Sequence, residues 1–416
     1  MERKGEFFFL IWILYYIYTI SNSIVFDAGS TITIIIHFLV LSYLCYYNFI
    51  RNEYWISFNY IYLYLLYLFI LIILSSTQYF ASFRMLIKYA EQLLCLPIAF
   101  GLFSNKENID KIWFTLKVML LLFIINYFVA NYFHLGGNVY VEVEGGDVGN
   151  LAAIDDLHYI NAVFICMIPI FISQEYRYYL FWLFATIFAF IIVVTSIKRT
   201  SIACMFLPLI ISFLYRIFFG IKYKLKERKI LTPPKMLGYI VAFFFFVFLA
   251  ISFKQVFEKR VEKRVDRFEA GLAKEGRTKE LIYIYDDIVV KGEVSTLLFG
   301  KETFNTVGTY ANGKFGKRMI HENYGIILNG TGIIGMFIYI LINLYLFFLF
   351  IRYTKRVDFS SNLIARKFYV AFISLWGIYL VSSFSGNIWC VLYPSMHYTL
   401  TGLILRYFYE YGDTYC

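Results

Sequence analysis

Apolar runs of about 20 residues, each long enough for a helix to cross the hydrocarbon core of a bilayer, recur along nearly the whole chain. They fall near residues 7–25, 32–50, 56–75, 81–103, 112–133, 158–174, 178–196, 201–219, 236–253, 324–351, 364–383 and 387–406, which predicts about 12 spans. Strand-like alternation of apolar and polar positions is absent. In lipid such a chain must satisfy its backbone polar groups within each segment, so the expected class is all-α, a polytopic transmembrane helical bundle. The first run follows Arg3 and Lys4. It is too long for the apolar part of a signal peptide and lacks a small-residue cleavage site, so it is expected to remain as the first span.

Two polar stretches interrupt the pattern. The first, from Leu135 to Tyr159, is acidic and Gly-rich; the second runs from about Phe253 to Ile320. The opening of the second puts Phe257, Val261, Val265 and Phe268 on one helical face and a dense basic face opposite. That is the pattern of an amphipathic helix at a membrane surface, or of a helical extension of the ninth span with a solvated face. The expected organisation is a bundle of nine spans over residues 1–253, a large external loop over 254–320, and a last bundle of three spans with the C-terminus over 321–416.

Composition agrees with the pattern: 60% of the 416 residues are hydrophobic, 22% aromatic and only 16% charged, where soluble domains carry about a quarter charged. The net charge of +10 would suit a nucleic-acid partner, but its distribution argues against one. The basic residues collect in alternate turns at Arg51, Lys106, Lys111, Arg177, the run Lys222 to Lys235, Arg352, Lys355, Arg356, Arg366 and Lys367. That is the positive-inside signature, and it puts both termini in the cytoplasm. The six cysteines, Cys45, Cys95, Cys166, Cys204, Cys390 and Cys416, fall mostly in apolar runs and suggest neither a disulfide framework nor a zinc site.

Chemistry is therefore expected in the long polar stretch and at its borders. His321 stands at the mouth of the tenth span and is followed by Asn323, Tyr324, Gly325, Asn329, Gly330, Gly332 and Gly335. Histidine can exchange a proton near neutrality, and so many glycines at the head of a span predict a broken or closely packed helix start that lines a cavity. Arg277 precedes an apolar-patterned helix with Leu281, Ile282, Ile284, Tyr285 and Ile288, and its fixed fork of donors suits phosphate oxygens. Lys198 and Arg199 lie in the hairpin TSIKRTS, which the alternation of turns puts on the outer side, against the charge rule. Either they snorkel to the interface or they hold a phosphate there.

The fourth span carries Arg84, Lys88, Glu91 and Gln92. Residues 84, 88 and 91 share one helical face, so Glu91 is expected to pair with Lys88, and Arg84 could reach the same anion as Arg199. Asp155, Asp156 and His158 are too generically spaced to hold a metal; acids at a helix N-terminus are the better reading. No metal site is expected.

The order of SIKRTS, then GRTKELIYIYDDIVVKGEVSTLLFGKETF, then HENYGIILNGTGIIG resembles the O-antigen polymerase and O-antigen ligase superfamily, which are C-type membrane glycosyltransferases. This chain departs in having Glu322 before Asn323 where the family often has Asn directly after the His, and in lacking a Pro before the glycine of STLLFGKE. The resemblance implies His321 as the catalytic residue and Arg199 and Arg277, with Lys198 and Arg84, as pyrophosphate binders. Asn323, Tyr324 and Asp156 become candidate acceptor or sugar contacts. It implies a donor glycan on undecaprenyl pyrophosphate, a multi-pass protein of the bacterial inner membrane with its site facing the periplasm, and no cofactor. It also implies lipid contact and a chain-length regulator as a partner. A polymerase is favoured over a ligase acting on lipid A core. A lipid-linked oligosaccharide flippase should show two similar halves and short loops, and an acyltransferase should draw its donor from the cytoplasm.

Overall fold

The structure is a computed structural model that describes residues 10–18, 31–102, 106–133, 154–171, 179–195, 199–223, 276–304, 320, 322–384, 386, 388 and 391–413. These residues are helical throughout apart from short turns, as an all-α chain requires. The expected ninth span, the amphipathic stretch beginning near Phe253, and most of the acidic Gly-rich loop lie outside them.

In chain order the helices are α1 (10–18), α2 (Thr31–Tyr46), α3 (Asn59–Ser75), α4 (Tyr79–Leu102), α5 (Lys106–Tyr132), α6 (Ile154–Phe171), α7 (Tyr179–Thr195) and α8 (Arg199–Tyr223). There follow α9 (Gly276–Tyr285), α10 (Val294–Phe299), α11 (Asn323–Thr354), α12 (Leu363–Ser383) and α13 (Leu392–Asp413). Among the described residues five helices are long and apolar enough to cross a membrane, and four shorter apolar helices join them. This is a helical membrane protein. The count of about 12 spans exceeds the five long helices found here, because several expected spans are described only as shorter helices, one is not described, and α13, though 22 residues long, is not among the helices apolar enough to cross.

The bundle is organised around α4 and α13. Every residue from Tyr89 to Phe100 and from Val391 to Phe408 is buried. A helix buried all round sits in the middle of a bundle, and this pair lies close: a Cβ added to Gly402 would be 2.5 Å from the Leu96 carbonyl oxygen. Small residues at such a contact let backbones approach where lipid supplies no hydrophobic drive between helices. The peripheral helices keep one apolar face outward, with Leu63, Leu66, Leu74 on α3 and Phe337, Leu344, Phe348 on α11 exposed.

The central position also explains the polar fourth span. An ionisable group within a membrane helix is tolerated when it faces the interior of the bundle; Glu91 and Gln92 are each 1% exposed. On α13 the neighbouring Ser395, His397, Thr399 and Thr401 are buried as well.

Candidate functional site at the head of a broken helix

The glycine-rich head of α11 is broken, as its sequence predicts. Gly332 has φ 62° and ψ −162° inside an otherwise helical run, a conformation essentially restricted to glycine. The break frees carbonyl groups from the helical ladder, and a buried carbonyl needs a partner. The segment after α10 supplies it. Lys301 N–H donates to the Asn329 carbonyl at 2.8 Å, Thr303 Oγ1 donates to that of Gly330 at 2.7 Å, and Tyr67 OH on α3 donates to that of Thr331 at 3.3 Å.

Sequence accounts for this crossing at both strands. Gly300 ends α10 with φ 80°, a conformation that glycine adopts without a Cβ clash, and its N–H bonds the Thr296 carbonyl. The end of α10 and residues 300–304 pass over the break so closely that a Cβ added to Gly332 would lie 2.5 Å from the Leu298 carbonyl and one added to Gly330 would lie 3.1 Å from Thr303 Cα. The crossing segment is tied down at its far side, where buried Glu302 accepts from the Thr77 backbone N–H at 3.0 Å. Lys301 reaches back to Asp287 at 2.5 Å, and exposed Lys291 pairs with Asp286; that hydrogen bond and charge raise the Lys291 ammonium above its usual value.

The first turn of α11 is held equally firmly. Asn323 is 1% exposed; its Oδ1 accepts from the Ile388 N–H at 2.9 Å and its Nδ2 donates to Ser383 Oγ at 3.2 Å. Gln92 on α4 donates to the Ile388 carbonyl at 2.9 Å. One peptide-bearing residue between α12 and α13 is thus gripped on both its N–H and its C=O. Asn323 is a positioning residue in this arrangement, because both ends of its amide bond the protein. Tyr324 is half-buried against Phe384, ring centroids 5.1 Å apart.

His321 and Lys198 lie outside the described residues. The neighbours of His321 are described: Ile320 is 1% exposed and Glu322 5%. Arg277, Arg199 and Asp156 are placed by their backbones alone. Arg277 opens α9, which packs against α11, a Cβ at Gly325 lying 3.0 Å from Ile284 Cδ1. Arg199 opens α8, where Cys204 Sγ donates to the Ile378 carbonyl at 3.7 Å, little more than a turn from Ser383. Asp156 is in the first turn of α6, whose Tyr159 ring lies 5.0 Å from that of Tyr393, and Tyr393 OH in turn receives Ser382 Oγ at 3.4 Å. The starts of α6 and α8 therefore sit at the same end of the bundle as Ser383 and the first turn of α11.

On α4, Arg84 is part-buried and Lys88 likewise. Glu91, expected to pair with Lys88, feels the Lys88 charge and also binds His37 of α2: His37 Nδ1 lies 2.9 Å from Oε2 and 3.2 Å from Oε1 of Glu91. Tyr15 OH of α1 is 3.1 Å from Nδ1 and 3.3 Å from Nε2 of the same ring. His37 was not singled out by the sequence reasoning above, although a lone histidine in the apolar run TITIIIHFLV is itself a signal of a polar partner inside the bundle.

No protein-family model and no curated protein gives a significant match to the chain.

Proposed function

We propose that this protein is an O-antigen polymerase, a C-type membrane glycosyltransferase that moves a growing glycan from undecaprenyl pyrophosphate onto a hydroxyl of a lipid-linked repeat unit at the periplasmic face. The observation that carries the reading is the convergence on the head of α11. The helices that open at Arg199 and Arg277 meet, directly or through α12, the turn that follows His321, and the glycine break leaves that head clamped by the loop rather than free to wind. In the proposed topology there are about 12 spans, both termini cytoplasmic.

The chemistry follows from the residues. As the anomeric carbon–oxygen bond breaks, negative charge grows on the departing pyrophosphate. Arg277, Arg199 and Lys198, with Arg84 from α4, supply fixed positive charge where that charge develops, which is the term that usually dominates such catalysis. His321 takes the proton of the acceptor hydroxyl as its oxygen attacks from the opposite face, giving inversion. The donor is already activated, so the reaction takes no nucleotide sugar.

The test is complementation. His321→Ala is expressed in a strain lacking the native gene, at membrane levels matched to wild type, and the surface polysaccharide is separated on a gel. Core plus one repeat unit, without the ladder, is the expected result. Bare core with long chains on the lipid carrier would instead identify a ligase, and an undisturbed ladder would end the assignment of His321.

A further inference from the structure

The three-helix contact of Tyr15, His37 and Glu91 has no part in the reaction above and stands independently of it. All three side chains are buried: Tyr15 is 7% exposed, His37 3% and Glu91 1%. They come from α1, α2 and α4, so no local helical pairing accounts for their meeting. Beside them is a small pocket bordered by Trp12, Tyr15, Leu44, Glu91, Cys95 and Ser395. Ser395 belongs to α13 and is 1% exposed.

We propose that His37 and Glu91, with Tyr15 packed on the imidazole, form a proton-binding site inside the bundle that binds and releases one proton.

Proton accounting supports a single exchangeable proton. In the empty state neutral His37 donates from Nδ1 to ionised Glu91, and the Tyr15 hydroxyl lies against the ring, 3.1 Å from Nδ1 and 3.3 Å from Nε2. The pair carries one negative charge. In the loaded state Glu91 is a carboxylic acid donating to Nδ1, and the ring carries its own proton on Nε2. The pair is then neutral. The His37–Glu91 contact keeps its heavy atoms in place and simply reverses its donor.

The charged and titratable groups facing the site are few. From α4 they are Arg84 and Lys88, whose positive charges act on His37, Lys88 acting on Glu91 as well, and Cys95, which feels Glu91; from α1 Tyr18 lies against Tyr15, ring centroids 5.8 Å apart. The pocket residues from the α13 side are Val391 and Ser395, and neither titrates. In the empty state the two cations face an anionic pair; in the loaded state they face a neutral one. A histidine nitrogen among the ligands favours a proton over an alkali cation, which takes oxygen donors.

A hydrophobic carbodiimide tests this, because it adds to protonated carboxyls in apolar surroundings. The acid proton moves to a carbodiimide nitrogen, the carboxylate oxygen bonds the central carbon, and the adduct rearranges to a stable N-acylurea with nothing lost. Full-length protein in detergent is treated with dicyclohexylcarbodiimide from about pH 6 to about pH 9, a range across which a shared His–Glu proton is expected to leave. Peptide mass mapping should find one adduct on Glu91, slowing as pH rises and missing from Glu91→Gln. In His37→Gln the pH profile of labelling should shift, which a merely structural histidine would not cause.

Infrared titration covers poor reagent access: wild type should show a protonated-carboxyl band that fades with rising pH and is absent in Glu91→Gln. Absence of both the adduct and the band overturns the proposal. So does a pH-independent adduct, or a profile that His37→Gln leaves in place.

Discussion

Gly300 and Thr331 touch backbone to backbone: a Cβ on Gly300 would sit 2.5 Å from the Thr331 nitrogen, and its φ is 80°. The partner glycine across the crossing, Gly332, is equally constrained at φ 62°. Either substitution by alanine meets backbone, which cannot step aside as a side chain can. Gly332→Ala is therefore expected to lose roughly 1–3 kcal/mol from conformational strain alone and to loosen the clamp on α11. Thermal unfolding in detergent should show a lowered midpoint for both variants, whereas Gly335→Ala, whose near neighbour is the Thr331 side chain of its own helix, should fall less.

Asn323 and Gln92 hold the two ends of one backbone unit at Ile388. Removing either amide leaves a buried backbone group without its partner, at a cost of about 1–3 kcal/mol. Because the two share that unit, Asn323→Ala and Gln92→Ala should be non-additive. A double-mutant cycle on thermal stability would measure it; simple additivity would show that the two bonds do not act together.

Arg277 is proposed to bind pyrophosphate through its planar fork, which lysine does not reproduce. Arg277→Lys should then resemble Arg277→Ala, with polymer ladder reduced by roughly 10²-fold at unchanged membrane level. Full activity in the lysine variant would show that charge alone suffices there.

The break in α11 was legible because its cause is local: HENYGIILNGTGIIG places Gly330, Gly332 and Gly335 where a span begins. The buried centre was partly legible, since Glu91 and Gln92 inside an apolar run require an interior position. What holds them was not. Glu91 meets His37 from 54 residues away, and Gln92 meets Ile388 from 296 away. One-helix periodicity offers only neighbours at i+3 and i+4, so it offered Lys88. The loop's grip on the break was equally hidden: Thr303 and Lys301 satisfy carbonyls, and backbone acceptors carry no sequence label.

Gly402 marks the closest approach of α4 and α13, with the Leu96 oxygen 2.5 Å and the Ala99 Cβ 2.9 Å from an added Cβ. Gly402→Val should push these central helices apart, losing about 1–3 kcal/mol by overpacking. Compensation is available at the facing residue: Ala99→Gly combined with Gly402→Ala should recover part of the loss seen in Gly402→Ala alone. Recovery is read from the unfolding midpoint.

The turn between α11 and α12 offers a pH test outside the bundle. Asp358 accepts from Ser360 N–H at 2.9 Å and from the Ser360 and Ser361 hydroxyls, and the Ser360 hydroxyl leads the bonds that hold its carboxyl down to about 2. A free aspartate titrates near 3.9. Since the folded value is the lower one, the turn is stabilised by ionised Asp358 above about pH 4, and that stabilisation is lost as pH falls through about 2. Amide exchange at Ser360 should therefore show protection that declines across this window in wild type. In Asp358→Asn the protection should be weaker at neutral pH and flat with pH; an identical decline in that variant would assign the change to another group.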